Sequence, residues 1–311
     1  MYVGIDISKS TLDVKSTTWS EPEKYSNSRT GIEKLLKRLS GEAPSLVVME
    51  ATGGYERNVA KALQSKEISL AVMNPWQTKN FAKSLGKRAK TDKIDAEILS
   101  KFAEAVKPAS TVVSSDEEFE LKQLVSRRQQ LVRQNVQEKN RLGHATPLIA
   151  QSIRKMIKLL RAEIKQITRK IKDRVGGLES TRARAEVLLS AKGVGELTAY
   201  SLCILLPELG KSNRKKIAAL AGIAPFNDDS GKASRPRRIQ GGRADVRSVL
   251  YMATLTAIRC NTKIKSYYKK LVKRGKKQGN KKIALVACMR KFLVCLNAML
   301  KTNQPWKNTA K

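Results

Sequence analysis

Apolar and polar residues alternate with a period of two over YVGIDI (2–7) and LDVKST (12–17), which are joined by a short SKST link. That spacing predicts two β-strands. SLVVMEATGG (45–54) is a continuous apolar run closed by two glycines and reads as a buried strand ending in a turn, while ISLAVMNP (68–75) reads as another, stopped by Pro75. Between and after them, TGIEKLLKRLS (30–40), YERNVAKALQS (55–65) and TDKIDAEILSKFAEAV (91–106) carry helical spacing, the last with Thr91 placed to cap it. Strands alternating with helices predict an α/β domain with a mixed sheet over residues 1–107.

Beyond it the period-two signal is gone. Met156, Leu160, Ile164, Ile167 and Ile171 recur at steps of four and three, a heptad-like seam. With residues 116–142 as the other arm and GHATP (143–147) as the break, residues 108–178 are expected to form a long antiparallel, coiled-coil-like helical hairpin, each arm about 40 Å long. The remainder, 179–311, is expected to be an α-helical domain. It opens with two short helices around the Gly193-Val194-Gly195 turn, either a helix-hairpin-helix that offers backbone amides to a phosphate or a plain tight turn. RKKIAALAGI (214–223) is a further helix; the polar loop 224–248 follows, then two helices at about 245–272 and 281–301.

Charge narrows the partner. The chain of 311 residues carries 62 Lys plus Arg against 27 Asp plus Glu, a net +35, distributed as +5, +8 and +22 over residues 1–110, 111–178 and 179–311. Such self-repulsion is expected only where a polyanion offsets it, nucleic acid first and an anionic membrane second. A nearly balanced first segment followed by a very basic last one suggests a catalytic or metal-holding domain joined to one that grips a polyanion. The most apolar stretch, IALVACMRKFLVCLNAML, is interrupted by Arg290 and Lys291, so no membrane span is expected, and the first residues do not read as a signal peptide. A cytoplasmic, nucleoid-associated protein is the expectation. Four scattered cysteines and one histidine, His144, argue against zinc and against histidine-based nucleophilic catalysis. Any chemistry then rests on carboxylates, hydroxyls and cations.

Two acids stand where acids are costly. Asp6 lies among Val3, Ile5 and Ile7, and Glu50 ends the run Leu46–Met49; an ionised carboxylate in such a strand needs a cation or strong hydrogen bonds. Asp92 and Asp95 fall three apart at a helix start, on one face, where either alone is commonly just a partner of the helix dipole. Together the four supply the oxygen donors that Mg2+ favours. The second candidate is the loop NDDSGKASRPRR, which sets Ser230 among Arg235, Arg237, Arg238, Arg243 and Arg247. By itself it is an ordinary turn or an arginine-lined anion trap. The run 269–282, with Lys276 and Lys277, is a phosphate-backbone contact or a solvated face.

GIDISK, VVMEATGGY and KTDKIDAEILSKF, followed by GVGELTA, LAGIAPFNDDSG and VRSVLYMATLTA, resemble the DEDD transposases of the IS110 insertion-sequence family, relatives of the pilin-gene invertases. The resemblance spans nearly the whole chain. It implies an N-terminal RuvC-like domain of the RNase H fold and a C-terminal transposase domain. The four acids implied are Asp6, Glu50, Asp92 and Asp95, with Mg2+ as cofactor. Ser230 is implied as a nucleophile that forms a covalent phosphoserine with DNA, its proton going to an acid of the metal site on the same or another subunit, or to a metal-bound hydroxide. Donor and target double-stranded DNA are the implied substrates, paired by a non-coding bridge RNA. Recombination joins four strands and the 148–175 seam needs cover, so a homodimer assembling into a tetramer is expected. Two rivals are a junction-resolving nuclease that uses metal and water alone, and a non-enzymatic nucleic-acid-binding protein that needs no ion.

Overall fold

The computed structural model describes residues 1–86, 92–226, 229–230, 233–234, 238–274 and 280–307. They divide into two compact units, Met1–Ser114 and Ser115–Lys311.

The first unit is a five-stranded mixed sheet with helices on both faces. Strands β1 (Tyr2–Ile7), β2 (Thr11–Ser16) and β3 (Glu23–Ser26) form an antiparallel meander; helix α1 (Arg29–Ser40) leads to β4 (Leu46–Glu50), and α2 (Arg57–Ser65) to β5 (Leu70–Met73). β4 joins β1 in parallel and β5 joins β4 in parallel, giving the order β3-β2-β1-β4-β5. Helices α3 (Pro75–Ser84) and α4 (Asp92–Val106) complete the unit. Because side chains alternate across a strand, β1 sends Val3, Ile5 and Ile7 to one face, where they pack with Leu35, Leu39, Val59 and Leu63 of α1 and α2. The other face, with Val48 and Ala71, is covered by Leu99, Phe102 and Ala103 of α4.

Two elements here were not legible in the sequence. β3 has only four residues and no buried side chain. Pro75 does not end a strand but starts α3: Asn74 caps the helix by accepting from the Trp76 amide at 2.9 Å, and proline is well suited to a first helical turn. Thr91, expected to cap α4, lies outside the described residues.

The second unit is helical. α5 (Asp116–Leu142) and α6 (Pro147–Gly176) are antiparallel, since the start of α5 meets the end of α6 through Glu120 and Arg174 (2.7 Å) and Arg128 donates to Thr168 at 2.9 Å. A capping box of Ser115 and Glu118 starts α5. Leu160, Ile167 and Ile171 of the seam are buried within this chain, in one core with Leu121, Val125 and the helices that follow. That part of the seam needs no second chain to cover it, while Met156 at its start stays exposed. Val136, Leu148, Ile149 and Leu159 are further exposed apolar side chains of the hairpin.

After α7 (Glu179–Leu189), α8 (Glu196–Leu205) and α9 (Arg214–Leu220) come two small ribbons, β6 (Pro225–Phe226) with β9 (Arg238–Ile239) and β7 (Asp229–Ser230) with β8 (Ala233–Ser234). Three helices close the unit, not two: α10 (Ala244–Cys260), α11 (Thr262–Arg274) and α12 (Asn280–Thr302). The break between α10 and α11 is at Asn261, whose buried side chain donates to the Lys192 carbonyl at 3.2 Å and accepts from the Ile264 amide at 3.3 Å. α12 is long and apolar enough by length and composition to cross a membrane. Here it is a core helix, with Cys288, Phe292, Leu293 and Leu296 fully buried.

Candidate active site

Asp6 and Glu50 meet because of strand register. Gly4 of β1 pairs with Val48 of β4 and Ile5 with Met49; continuing that register by one residue sets Asp6 beside Glu50. Both then project from the face that α4 covers. The approach of α4 is set by Gly4, where a Cβ would stand 2.3 Å from the Ala96 carbonyl oxygen and the Ser100 nitrogen. No side chain fits between β1 and α4 at this level, so Asp95, one residue before Ala96, is brought against the end of β1.

The electrostatics agree with that placement. Burial, then the charges of Asp95, Asp92 and Glu50 in that order, push the Asp6 carboxyl up from 3.8 to about 6, with the Ile7 amide pulling the other way. The other three acids thus all act on Asp6. Among the described residues no three acidic side chains already surround a common point at coordination distance. Oxygen donors that repel Asp6, without nitrogen or sulfur among them, suit a hard divalent cation, whose charge offsets that repulsion; Asp6, Glu50 and Asp95 are half-buried and Asp92 is exposed.

Three neighbours of the site escaped the sequence reading. Thr78, buried on α3, donates its hydroxyl to Glu50. Asp13 stands opposite Asp6 in the β1–β2 ladder and is buried, its charge met by Lys24 at 3.5 Å. Glu56 ties down the loop after Glu50 by accepting from the amides of Thr52 (3.1 Å) and Gly54 (2.8 Å) and from the Thr52 hydroxyl (2.7 Å). Burial pushes Glu56 up, but these bonds outweigh it and hold the carboxyl below its usual range. A lone Thr or Glu has no periodic or motif signature, so only the fold reveals such roles.

The serine segment is a ribbon rather than an open loop. β6 and β9 form its root, and beyond them Ser230 pairs with Ala233 near the tip. The Ser230 side chain, Arg235, Arg237, Lys276 and Lys277 lie outside what is described, while Arg238 stands exposed on β9. The root is clamped. Gly222 and Gly242, both at φ +66°, are so close that a Cβ on Gly242 would lie 2.2 Å from the Gly222 nitrogen. Arg247 donates to the carbonyls of Gly241 (2.9 Å) and Gly222 (3.3 Å). Arg243 makes a fork on Glu208, both bonds at 2.6 Å, and reaches the Leu205 carbonyl at 3.1 Å. Arg243 and Arg247, expected to grip phosphate, both hold the ribbon's base, Arg243 through a carboxylate that offsets its charge and Arg247 through neutral carbonyls that do not.

The Gly193 turn also has a packing explanation. Its φ is +106°, and a Cβ there would lie 2.7 Å from Ala257, so the glycine allows α10 to approach. The first turn of α8 already carries an acid, Glu196, paired with Lys172.

Residues 3–147 match the sequence profile of the DEDD transposases of the IS110 kind, described as a transposase, and residues 185–269 match that of the "Transposase IS116/IS110/IS902 family". Among curated proteins, the chain is 27% identical to the pilin gene-inverting proteins of Moraxella lacunata and Moraxella bovis, each over 317 aligned positions that take in 98% of this chain and 97% of the relative. The first profile includes all four acids, the second Ser230.

Proposed function

From the premise that the chain belongs to the IS110 family of transposases, and so is a DNA recombinase, we propose that it cuts and rejoins donor and target DNA with Ser230 as nucleophile and with Asp6, Glu50, Asp92 and Asp95 as a magnesium site. The observation that carries this reading is the coupling of Asp6 to the other three acids, since a fold that raises one carboxyl to about 6 by burial and like charge maintains a cost that a cation removes. When bound, Mg2+ would stabilise charge that develops on phosphate oxygens. The rest is the work of the chain. The Ser230 hydroxyl oxygen bonds to phosphorus as the strand's ester oxygen leaves with the electrons of the broken P–O bond; the serine proton passes to a base, and the leaving oxygen takes up a proton to become a hydroxyl. Reversal with a second strand's hydroxyl rejoins the DNA and frees the serine.

The N-terminal unit is read as a RuvC-like domain of the RNase H fold, which its β3-β2-β1-β4-β5 order and acid placement support. Residues 108–178 are read as the spanning hairpin and 179–311 as the transposase domain. Arg238 contacts phosphate next to the serine, with Arg235 and Arg237 alongside it. Lys276 and Lys277 grip the backbone farther off. A non-coding bridge RNA pairs with both DNAs, and a homodimer assembles into a tetramer around four strands; the net charge of +35 supports binding that much polyanion.

Strand exchange between two labelled duplexes tests the proposal. Ser230→Ala removes a nucleophile but no charge, so exchange should vanish while DNA and RNA binding persist. Exchange at the normal rate by this variant would favour a nuclease in which water attacks phosphorus, and activity undiminished by EDTA would remove the metal from the account.

A further inference from the structure

Helix α3, invisible in the sequence pattern, presents an unused face at the edge of the carboxylate cluster. Its inner side is fixed. Thr78 is buried and bonded to Glu50, and the Phe81 ring meets Phe102 of α4 edge-on at 5.3 Å between centroids. Its outer side carries Trp76, Lys79 and Lys83, spaced i, i+3 and i+7 and hence aligned along one face. Trp76 is 72% exposed, the most exposed aromatic residue of the described chain. Both lysines are exposed and neither pairs with an acid among the described residues.

A tryptophan kept in water has a large hydrophobic cost unless something covers it. What covers it is constrained by its surroundings. Trp76 sits two residues from the threonine that touches Glu50 and three from Met73, the register partner of Glu50. Across the same strand end, Tyr55 emerges, 49% exposed, from the loop that Glu56 braces, its carbonyl accepting from Asn27 at 3.2 Å. The rim of the acid cluster thus offers two exposed aromatic rings on fixed backbone, with two cations leading away from one of them. Aromatic rings beside a basic track are the recognition chemistry of single-stranded nucleic acid, where bases stack on the rings and the cations follow the phosphates. Paired bases present no free face to stack, so a duplex cannot use such rings.

We infer that the outer face of α3 binds unpaired DNA next to the reacting phosphodiester, with a base stacked on Trp76 and the phosphates that follow on Lys79 and Lys83. The inference rests on the recombinase reading above and adds to it the strand form that the site takes: DNA locally unpaired at the cut. Tyr55, five residues after Glu50 in the chain, serves as the second stacking surface.

The test is equilibrium binding of the purified full chain to a duplex with a three-nucleotide single-stranded gap, to the same duplex fully paired, and to a gapped duplex whose unpaired nucleotides are ribose. Trp76→Ala should weaken binding of the gapped DNA by roughly 5- to 150-fold, the span expected for one stacked base, and leave the paired duplex unchanged. Trp76→Phe should restore most of the loss. Lys79→Gln and Lys83→Gln should each flatten the slope of log K against log salt by about 0.7 on the gapped DNA. Equal binding of gapped and paired DNA by wild type and Trp76→Ala would overturn the inference. So would a loss confined to the ribose-containing gap, which would assign the face to RNA, or a fall in oligomer mass with DNA affinity intact, which would assign it to protein contact. Normal strand exchange by wild type alongside any of these would leave the recombinase reading standing, whereas absence of exchange by wild type would remove that reading and not the binding result.

Discussion

Replacing Asp6 by asparagine should make the metal-free protein more stable while destroying its activity. Burial and the charges of Asp95, Asp92 and Glu50 raise the Asp6 carboxyl from 3.8 to about 6. A folded state that holds its proton more tightly than the unfolded chain loses stability as pH rises between those two values, and below 3.8 there is no penalty because both states are protonated. At neutral pH the full cost would be roughly 3 kcal/mol. Asp6 is only half-buried, so solvent screening reduces this to ~1–2 kcal/mol. Asp6→Asn keeps the shape and removes the charge. In EDTA at pH 7 the melting of the N-terminal unit should rise by roughly 4–8 °C, and the gap between variant and wild type should close as pH is lowered from 6 towards 4. Excess Mg2+ should reverse the order, since a cation at a hundred times its dissociation constant stabilises wild type by about 2.7 kcal/mol and the variant by much less. A variant less stable than wild type in EDTA, with its gain from Mg2+ unchanged, would show that Asp6 is a structural acid.

Other substitutions probe the supports of the site. Gly4→Ala should push α4 away from β1, because its Cβ would meet backbone at 2.3 Å; activity should fall by more than tenfold and Mg2+ affinity with it, and a variant with normal activity would show that α4 need not approach so closely. Arg243→Ala strands Glu208 half-buried and should destabilise the second unit by about 2 kcal/mol. Arg243 holds Glu208 below the usual carboxylate range against the upward push of burial, so the Arg243→Ala deficit should shrink as pH falls through the ordinary carboxylate range. An unchanged thermal melt would free Arg243 for a direct role on phosphate. Arg238→Ala should reduce both binding and exchange and Lys276→Ala only binding; if Lys276→Ala leaves affinity and salt slope unaltered, the 269–282 run is a solvated face. Because α5 and α6, of 27 and 30 residues, stand in the chain between the acids and the serine-bearing domain, mixing Asp6→Ala with Ser230→Ala protein should restore part of the exchange by pairing intact halves from two chains. Failure to do so in confirmed mixed oligomers would place both halves in one chain.

The strands β1, β2, β4 and β5 and the long arms α5 and α6 were legible because their apolar periods are strong and uninterrupted. β3 was not, since nothing in EKYS is buried, nor was α3, since proline after a strand reads as a stop unless the cap at Asn74 is known. The acids could be chosen from sequence because Asp6 and Glu50 interrupt apolar strands. Their convergence could not, since it depends on β1–β4 register and on the missing Cβ of Gly4. For the arginines of the serine segment, sequence displays the cations but not the carboxylate and carbonyls, at Glu208, Gly222 and Gly241, that Arg243 and Arg247 bond within the fold. Most of the seam of α6 is likewise buried by α5 and the C-terminal helices, which its own periodicity does not reveal.

The most direct test of the account is to trap the reaction on DNA carrying a cut site, denature the protein, digest it and identify by mass spectrometry the residue bonded to the DNA phosphate. The account predicts a phosphodiester on Ser230, formed only with Mg2+ present and absent from Asp6→Ala and Ser230→Ala proteins. Cleaved DNA with no attached peptide, or a nucleotide joined to any other residue, would contradict it.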